Sequence, residues 1–131
     1  MKRVMSQQTI AASSGIASDS AFNAVTPPLY LSSTFEFDGF MEPGPYDYSR
    51  GANPTRNLLA ETLARLEQGA GGIVVASGMA ALDLVIAQCA PTDLIVAPHD
   101  CYAGTRRLLL ARSAKSSFSV LFVNIMHNVF A

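Results

Sequence analysis

The stretch IVVASGMAALDLVIAQCAPTDLIVAP, residues 73–98, decides how this chain is read. Its first four residues, 73–76, form a short apolar run that reads as a buried strand. The run breaks at Ser77 and Gly78, and MAALDLVIAQCA continues as an apolar helix that Pro91 ends. LIVAP, residues 94–98, is a second strand. Downstream, YAGTRRLLLARSA (102–114) is a helical stretch and FSVLFV (118–123) a third strand. Upstream, in TRNLLAETLARLEQG (55–69), Leu58, Leu59, Thr62, Leu63 and Leu66 recur at helical spacing, and Gly69 supplies a C-terminal stop. Strands alternating with helices predict a parallel sheet covered on both faces. Residues 56–123 are therefore expected to be the start of an α/β domain.

Residues 1–55 read differently. Ser13, Ser14, Gly15, Pro27, Pro28, Pro43, Gly44, Pro45 and Pro54 punctuate them, and the only strand-like piece is LYLSSTFEF, residues 29–37. An irregular arm of that length is normally functional or wraps something, and another subunit is the expected something.

Composition bounds the function. Of 131 residues, 50% are hydrophobic and 15% charged, enough apolar material for a real core in one domain. The net charge of −1, with the basic residues scattered, argues against nucleic acid or an anionic membrane as the main partner. The start, MKRVMSQQTIAASSG, lacks a continuous apolar core and reads as no signal peptide. No apolar run reaches the ~18 residues of a membrane-spanning helix. Cys89 and Cys101 are too few for a disulfide framework, which fits a reduced, cytoplasmic setting.

Three constellations carry chemistry. The first is the strand, Ser77-Gly78-Met79, helix junction, whose unpaired backbone N–H groups suit a phosphate. Small residues at a strand-to-helix turn are equally what folding alone requires. The second is HDCYAGTRR (99–107), which follows a strand at the carboxyl end, where α/β sheets place ligands. Tyr102 can stack there on a planar ring. Adjacent His99, Asp100 and Cys101 lack metal-ligand spacing and are not read as a metal site; a capping or solvated Asp100 and a buried Cys101 are expected. The third is YDYSRGANPTR (46–56), in which Tyr48 and Arg50 can hold a phosphate or carboxylate, or simply stack on each other at the surface. Arg56 is expected on the exposed face of the following helix.

DYSRGANPTR, ASGMAA and APHDCYAGT, in this order and spacing and preceded by PPLYLSSTFEFDGF, resemble the Cys/Met-metabolism family of pyridoxal-phosphate enzymes. These are the transsulfuration enzymes of the aspartate-aminotransferase-like fold, and the resemblance is nearest to the bacterial cystathionine γ-synthase branch. It covers roughly residues 9–123. It implies γ-replacement on O-succinyl- or O-acetyl-homoserine by cysteine, as in methionine biosynthesis, with γ-lyase, β-lyase and homoserine sulfhydrylase as alternatives in the same family. Carried over, Gly78 and Met79 give N–H groups to the cofactor phosphate, and Tyr102 covers the ring and takes a proton from the substrate amine. Tyr48 and Arg50 bind phosphate in a neighbouring subunit's site, Arg107 holds the substrate's distal carboxylate, and the arm builds a homo-oligomer, a tetramer in the family. Gly51 stands where some bacterial members carry a second Arg.

The resemblance also implies a lysine in a Ser-x-Thr-Lys setting, and this chain has only Lys2 and Lys115, neither in that setting. NIMHNVFA (124–131) departs from the polar continuation implied after VLFV and reads as an aberrant or truncated tail, with His127 incidental. The isolated chain is thus expected to be a catalytically inactive fragment that at most binds phosphate or a partner chain.

Overall fold

The computed structural model describes residues 5–124; Lys2 and the tail 125–131, with His127, lie outside them. The chain divides into two compact units, residues 1–74 and 75–131.

The first unit is built on a helix pair and a hairpin. Helix α1 spans Gln7–Ser13 and helix α2 Pro54–Leu66, with strands β1 (Phe37–Gly39) and β2 (Glu42–Pro43) between them. Helix α2 starts where the sequence places it. Asn53 caps it by accepting from the Thr55 N–H at 2.9 Å, and Pro54 occupies the first turn, where its missing N–H costs nothing. Its end uses a six-to-one closure, with the Gly69 N–H on the Ala64 carbonyl at 2.8 Å. The left-handed residue of that closure is Gln68 (φ 55°), not the expected glycine.

Helix α1 lies inside the stretch read as irregular. Ser6 caps it, accepting from the Thr9 N–H at 3.2 Å, and it is stabilised by packing on α2. The Gln7 amide donates to the Leu66 carbonyl at 3.0 Å, and the Ser14 and Thr62 hydroxyls bond each other. Gly15 closes this corner at φ 74°, so tightly that a Cβ would lie 2.7 Å from Leu58 Cδ2.

The strand expected over residues 29–37 is displaced toward its end. Only a single bridge, Thr34 to Tyr48, precedes β1, which pairs antiparallel with β2. The cause lies in side chains that take the backbone groups a ladder would need. The Tyr30 N–H donates to Thr55 Oγ1 at 3.0 Å, and its carbonyl accepts from the Asn53 amide at 3.1 Å.

The second unit is the α/β part. Helix α3 (Gly78–Ile86), strand β3 (Leu94–Pro98), helix α4 (Ala103–Ser113) and strand β4 (Ser119–Val123) follow in order. β3 and β4 pair in parallel, from Leu94 opposite Ser119 to Pro98 opposite Val123. Ile86, Ala97, Leu109 and Phe118 form the buried core, flanked by Cys89, Ile95, Leu108, Val120 and Phe122. Helix α3 ends at Ile86, short of the expected Ala90: the Gln88 and Cys89 N–H groups turn back to the Val85 and Ile86 carbonyls at 3.1 and 3.0 Å, and the Asp93 carboxylate takes the Ala90 N–H at 2.7 Å. Arg112 on α4 grips Asp83 on α3 through two nitrogens, at 2.6 to 3.1 Å.

Two expectations fail here. Residues 73–76 make no strand, since no described strand lies beside them to complete a ladder, and Ile73 is 75% exposed. The sheet is covered on one face rather than two: Leu94, Val96 and Leu121, which alternate with the inward residues, remain exposed among the described residues. No helix in the described residues is long and apolar enough to cross a membrane.

Candidate active site

In the second unit, Met79 and Tyr102 come together at Gly104, and Gly78 precedes Met79 at the α3 N-terminus. Ser77 caps α3 through its hydroxyl, which accepts from the Ala80 N–H at 3.2 Å. That leaves the Gly78 and Met79 N–H groups of the first turn unpaired, at the positive end of the helix dipole and with no acidic residue in that turn to occupy them. Open space surrounds the position a Gly78 Cβ would take.

Tyr102 ends the loop that leaves the carboxyl end of β3 and stands at the start of α4. The loop extends the ladder by one bond, His99 N–H to Val123 carbonyl at 2.9 Å, then turns as the Cys101 N–H bonds the Pro98 carbonyl at 3.2 Å. Tyr102 is 71% exposed, and its ring edge folds against buried Gly104. A Cβ on Gly104 would stand 2.6 Å from Tyr102 Cε1 and 3.1 Å from Met79 Sδ. The absent side chain is what lets ring and thioether share one spot beside the α3 N-terminus. An exposed aromatic ring touching a residue of a helix's first turn can offer a stacking face and backbone donors to a planar, anionic ligand.

Arg107 is exposed on α4, one turn beyond Gly104, and makes no hydrogen bond or ion pair among the described residues. Asp100 does not cap α4, whose cap position is Tyr102, and is exposed; Cys101 is half-buried rather than buried. Arg106 was not singled out by the sequence. Its guanidinium lies 4.2 Å from the Phe122 ring centroid and reaches the His99 carbonyl at 3.5 Å, fastening the Tyr102 loop to β4. Its place in the fourth position after Tyr102, facing the strand, was the available signal.

Tyr48 and Arg50 lie in the first unit, on a turn in which the Gly51 and Ala52 N–H groups both bond the Tyr48 carbonyl, at 2.9 and 3.2 Å. Arg50 Cζ sits 5.1 Å from the Tyr48 ring centroid, and both side chains are exposed. The Arg50 guanidinium donates no hydrogen bond within the described residues. Arg56 is not the solvated residue expected: half-buried, it donates to the Gly51 carbonyl at 2.7 Å. Arg50, Arg56 and Asn57 line a cleft of about 320 Å³ with Gly72, Ile73 and Val74.

Asp19 is a second omission of the sequence reading. Its buried carboxylate accepts from the Ala21, Phe22 and Ala24 N–H groups at 3.0 to 3.3 Å. Those bonds, Ala21's foremost, hold its pKa below the ordinary carboxylate value. The signal was an Asp followed by small and turn-forming residues, a local side-chain-to-backbone pattern.

Comparison with known proteins shows the family. Residues 8–129 match the model of a family described as Cys/Met metabolism PLP-dependent enzyme. A cystathionine gamma-synthase of Escherichia coli (strain K12) is 47% identical over 119 residues, which are 90% of this chain and 31% of that protein. A cystathionine beta-lyase of Lactococcus lactis subsp. cremoris (strain MG1363) is 40% identical over 95 residues, 72% of this chain and 25% of that one. Among solved structures, cystathionine gamma synthase from Xanthomonas oryzae pv. oryzae, in complex with aminoacrylate and cysteine, superposes with a TM-score of 0.86 at 46% identity. That superposition takes in 95% of this chain and 32% of the other. The chain thus spans about a third of the length of the relatives it matches.

Proposed function

This chain belongs to the Cys/Met metabolism PLP-dependent enzyme family, and on that premise we propose that it carries the phosphate- and ring-binding part of a cystathionine γ-synthase-like enzyme. The observation that supports the reading is that the Tyr102 ring and the Met79 thioether share one spot at Gly104, with Met79 in the first turn of α3, whose Gly78 and Met79 N–H groups the Ser77 cap leaves open. These residues fit pyridoxal phosphate: two backbone donors and a helix dipole for the phosphate, an exposed phenol face for the pyridine. When bound, that group stabilises negative charge built next to the amino group of an amino-acid substrate.

The protein's own residues have separate tasks. Gly78 and Met79 anchor phosphate. Tyr102 would pack on the ring and exclude water from that face, and its hydroxyl would take a proton from a substrate amine. Arg107, exposed and without a partner side chain, receives the substrate's distal carboxylate. Tyr48 and Arg50 supply a phosphoryl clamp to the site of a second copy in a homo-oligomer. The substrate is an O-acylated homoserine and the thiol cysteine; lyase or sulfhydrylase activity is the alternative within the family, and β-lyases stand among the relatives. With Gly51 following Arg50, the acyl group is not tied to succinate.

By themselves, these 131 residues bind without catalysing. Lys115, the one lysine among the described residues, is exposed just beyond α4. The chain should be mixed with pyridoxal phosphate, reduced with borohydride and mapped by mass spectrometry. A specific, stoichiometric adduct at Lys115 together with cystathionine formation would overturn the inactive reading. The binding reading is tested by Gly78→Pro. Ser77 is already extended (φ −158°, ψ 158°), as a residue before proline must be, so the helix survives while one donor is lost. Affinity for pyridoxal phosphate should fall about tenfold or more, the worth of a hydrogen bond to a charged group. Unchanged affinity refutes the phosphate site.

A further inference from the structure

We propose that Arg56 is a positioning residue for the phosphate clamp: from the first turn of α2 it locks the turn at residues 48–51 so that Arg50 is held out, free, for an anion. The inference rests on the reading of Tyr48 and Arg50 as a clamp. Arg56 Nη2 donates to the Gly51 carbonyl at 2.7 Å and reaches the Arg50 carbonyl at 3.4 Å. Those two oxygens fix the peptide planes that follow Arg50. On the preceding side, Ser49 is held through both its side chain and its N–H. The Asn53 amide donates to Ser49 Oγ at 2.9 Å, and the Ser49 N–H bonds the Ser33 carbonyl at 2.9 Å. The residues on either side of Arg50 are thereby held, while its guanidinium has no acceptor among the described residues. A planar five-donor group kept in that state is preorganised for an oxyanion.

A surface turn of this kind could leave its carbonyls to water. Spending a half-buried guanidinium on them instead is explained if the direction of the intervening side chain matters.

The test follows amide exchange and inorganic phosphate binding by NMR in the 131-residue chain. In Arg56→Ala, exchange of the Gly51 and Ala52 amides should quicken about tenfold, as expected for loss of a charge-assisted bond. The Ile10 amide of α1 should stay unchanged, and phosphate affinity at Arg50 should fall about five- to tenfold. Arg56→Lys should recover part of both. Arg50→Ala should abolish the phosphate-induced shifts of the turn at residues 48–51, with those at Gly78 and Met79 unchanged, while leaving exchange alone. Unchanged exchange in Arg56→Ala overturns the proposal, and so does weakened phosphate binding without an exchange change, which would make Arg56 a direct ligand. Faster exchange with undiminished phosphate affinity reduces it to a structural brace. If the parent chain shows no phosphate shift at Arg50, the clamp reading itself fails, and Arg56's part in binding fails with it.

Discussion

The two units are specified by different means. In the second, a parallel ladder and four buried apolar side chains do the work, and hydrophobic periodicity announces them. In the first, no α1 or α2 residue is fully buried, and shape comes from side chains bonding backbone: Asn53, Arg56, Thr55 and Asp19 each hold a loop. A core tolerates rearrangement of similar volumes, whereas a net of directional bonds loses its geometry when one donor is removed. The proposed site residues follow the same division. Gly78, Met79 and Tyr102 stand on the ends of core-anchored elements, and Arg50 stands on a turn that only hydrogen bonds define.

The largest effect that breaks this contrast is in the core. Phe118 is 3% exposed, and Phe118→Ala should cost about 3–5 kcal/mol by transfer and cavity terms. Urea unfolding followed through the amides of β3 and β4 would measure it, and a loss below ~1 kcal/mol would mean that this small core does not govern the second unit. Next is Asn53→Ala, which removes a helix cap and two amide donors together. About 1–2 kcal/mol is expected for the cap alone. The diagnostic result is early exchange at Tyr30 and Ser49 together with α2, because one side chain joins all three.

This contrast also explains how much of the molecule was legible. Strands β3 and β4 were readable to within a residue, because LIVAP and FSVLFV are short, β-branched and bounded by turn signals. Residues 73–76 have the same composition yet form no strand, since pairing needs a neighbour and periodicity says nothing of neighbours. Helix α1 was missed because its Ser6 cap precedes polar residues with no apolar stripe; its stability comes from Leu66 and Thr62, some fifty residues away. Of the site, Tyr102 and the α3 N-terminus were visible as local motifs. The role of Gly104 beneath the ring and the turning-back of Arg56 were not, because both depend on close approaches that a linear pattern does not encode.

Acid should separate the units less drastically. Asp19 binds three N–H groups as a carboxylate, so its folded pKa lies below the unfolded value of about 3.9. The stabilisation is present above that value and is lost as pH falls through the lower folded pKa. Between pH 5 and pH 2 the amides of Ala21 and Ala24 should lose protection. Asp19→Asn should remove that pH dependence while lowering protection at neutral pH. Equal acid sensitivity in Asp19→Asn would assign the loss to other carboxylates.

The smallest stability effect should be the most informative about the site. In Gly104→Ala the new methyl meets Tyr102 Cε1 at 2.6 Å, too close to persist, but the atom it meets belongs to an exposed ring free to swing away. Helix α4 gains the better helix former, so stability should stay within about 0.5 kcal/mol of the parent. The ring contact with Met79, however, should vanish from NOE spectra. Affinity for pyridoxal phosphate should then drop several-fold while inorganic phosphate binding at the α3 N-terminus persists, because the substitution moves the stacking face and leaves the Gly78 and Met79 N–H groups in place. If both affinities survive, Tyr102 does not cover the ring. If both are lost, the α3 N-terminus depends on the Tyr102 loop, and the second unit holds its site by a side-chain net after all, as the first one does.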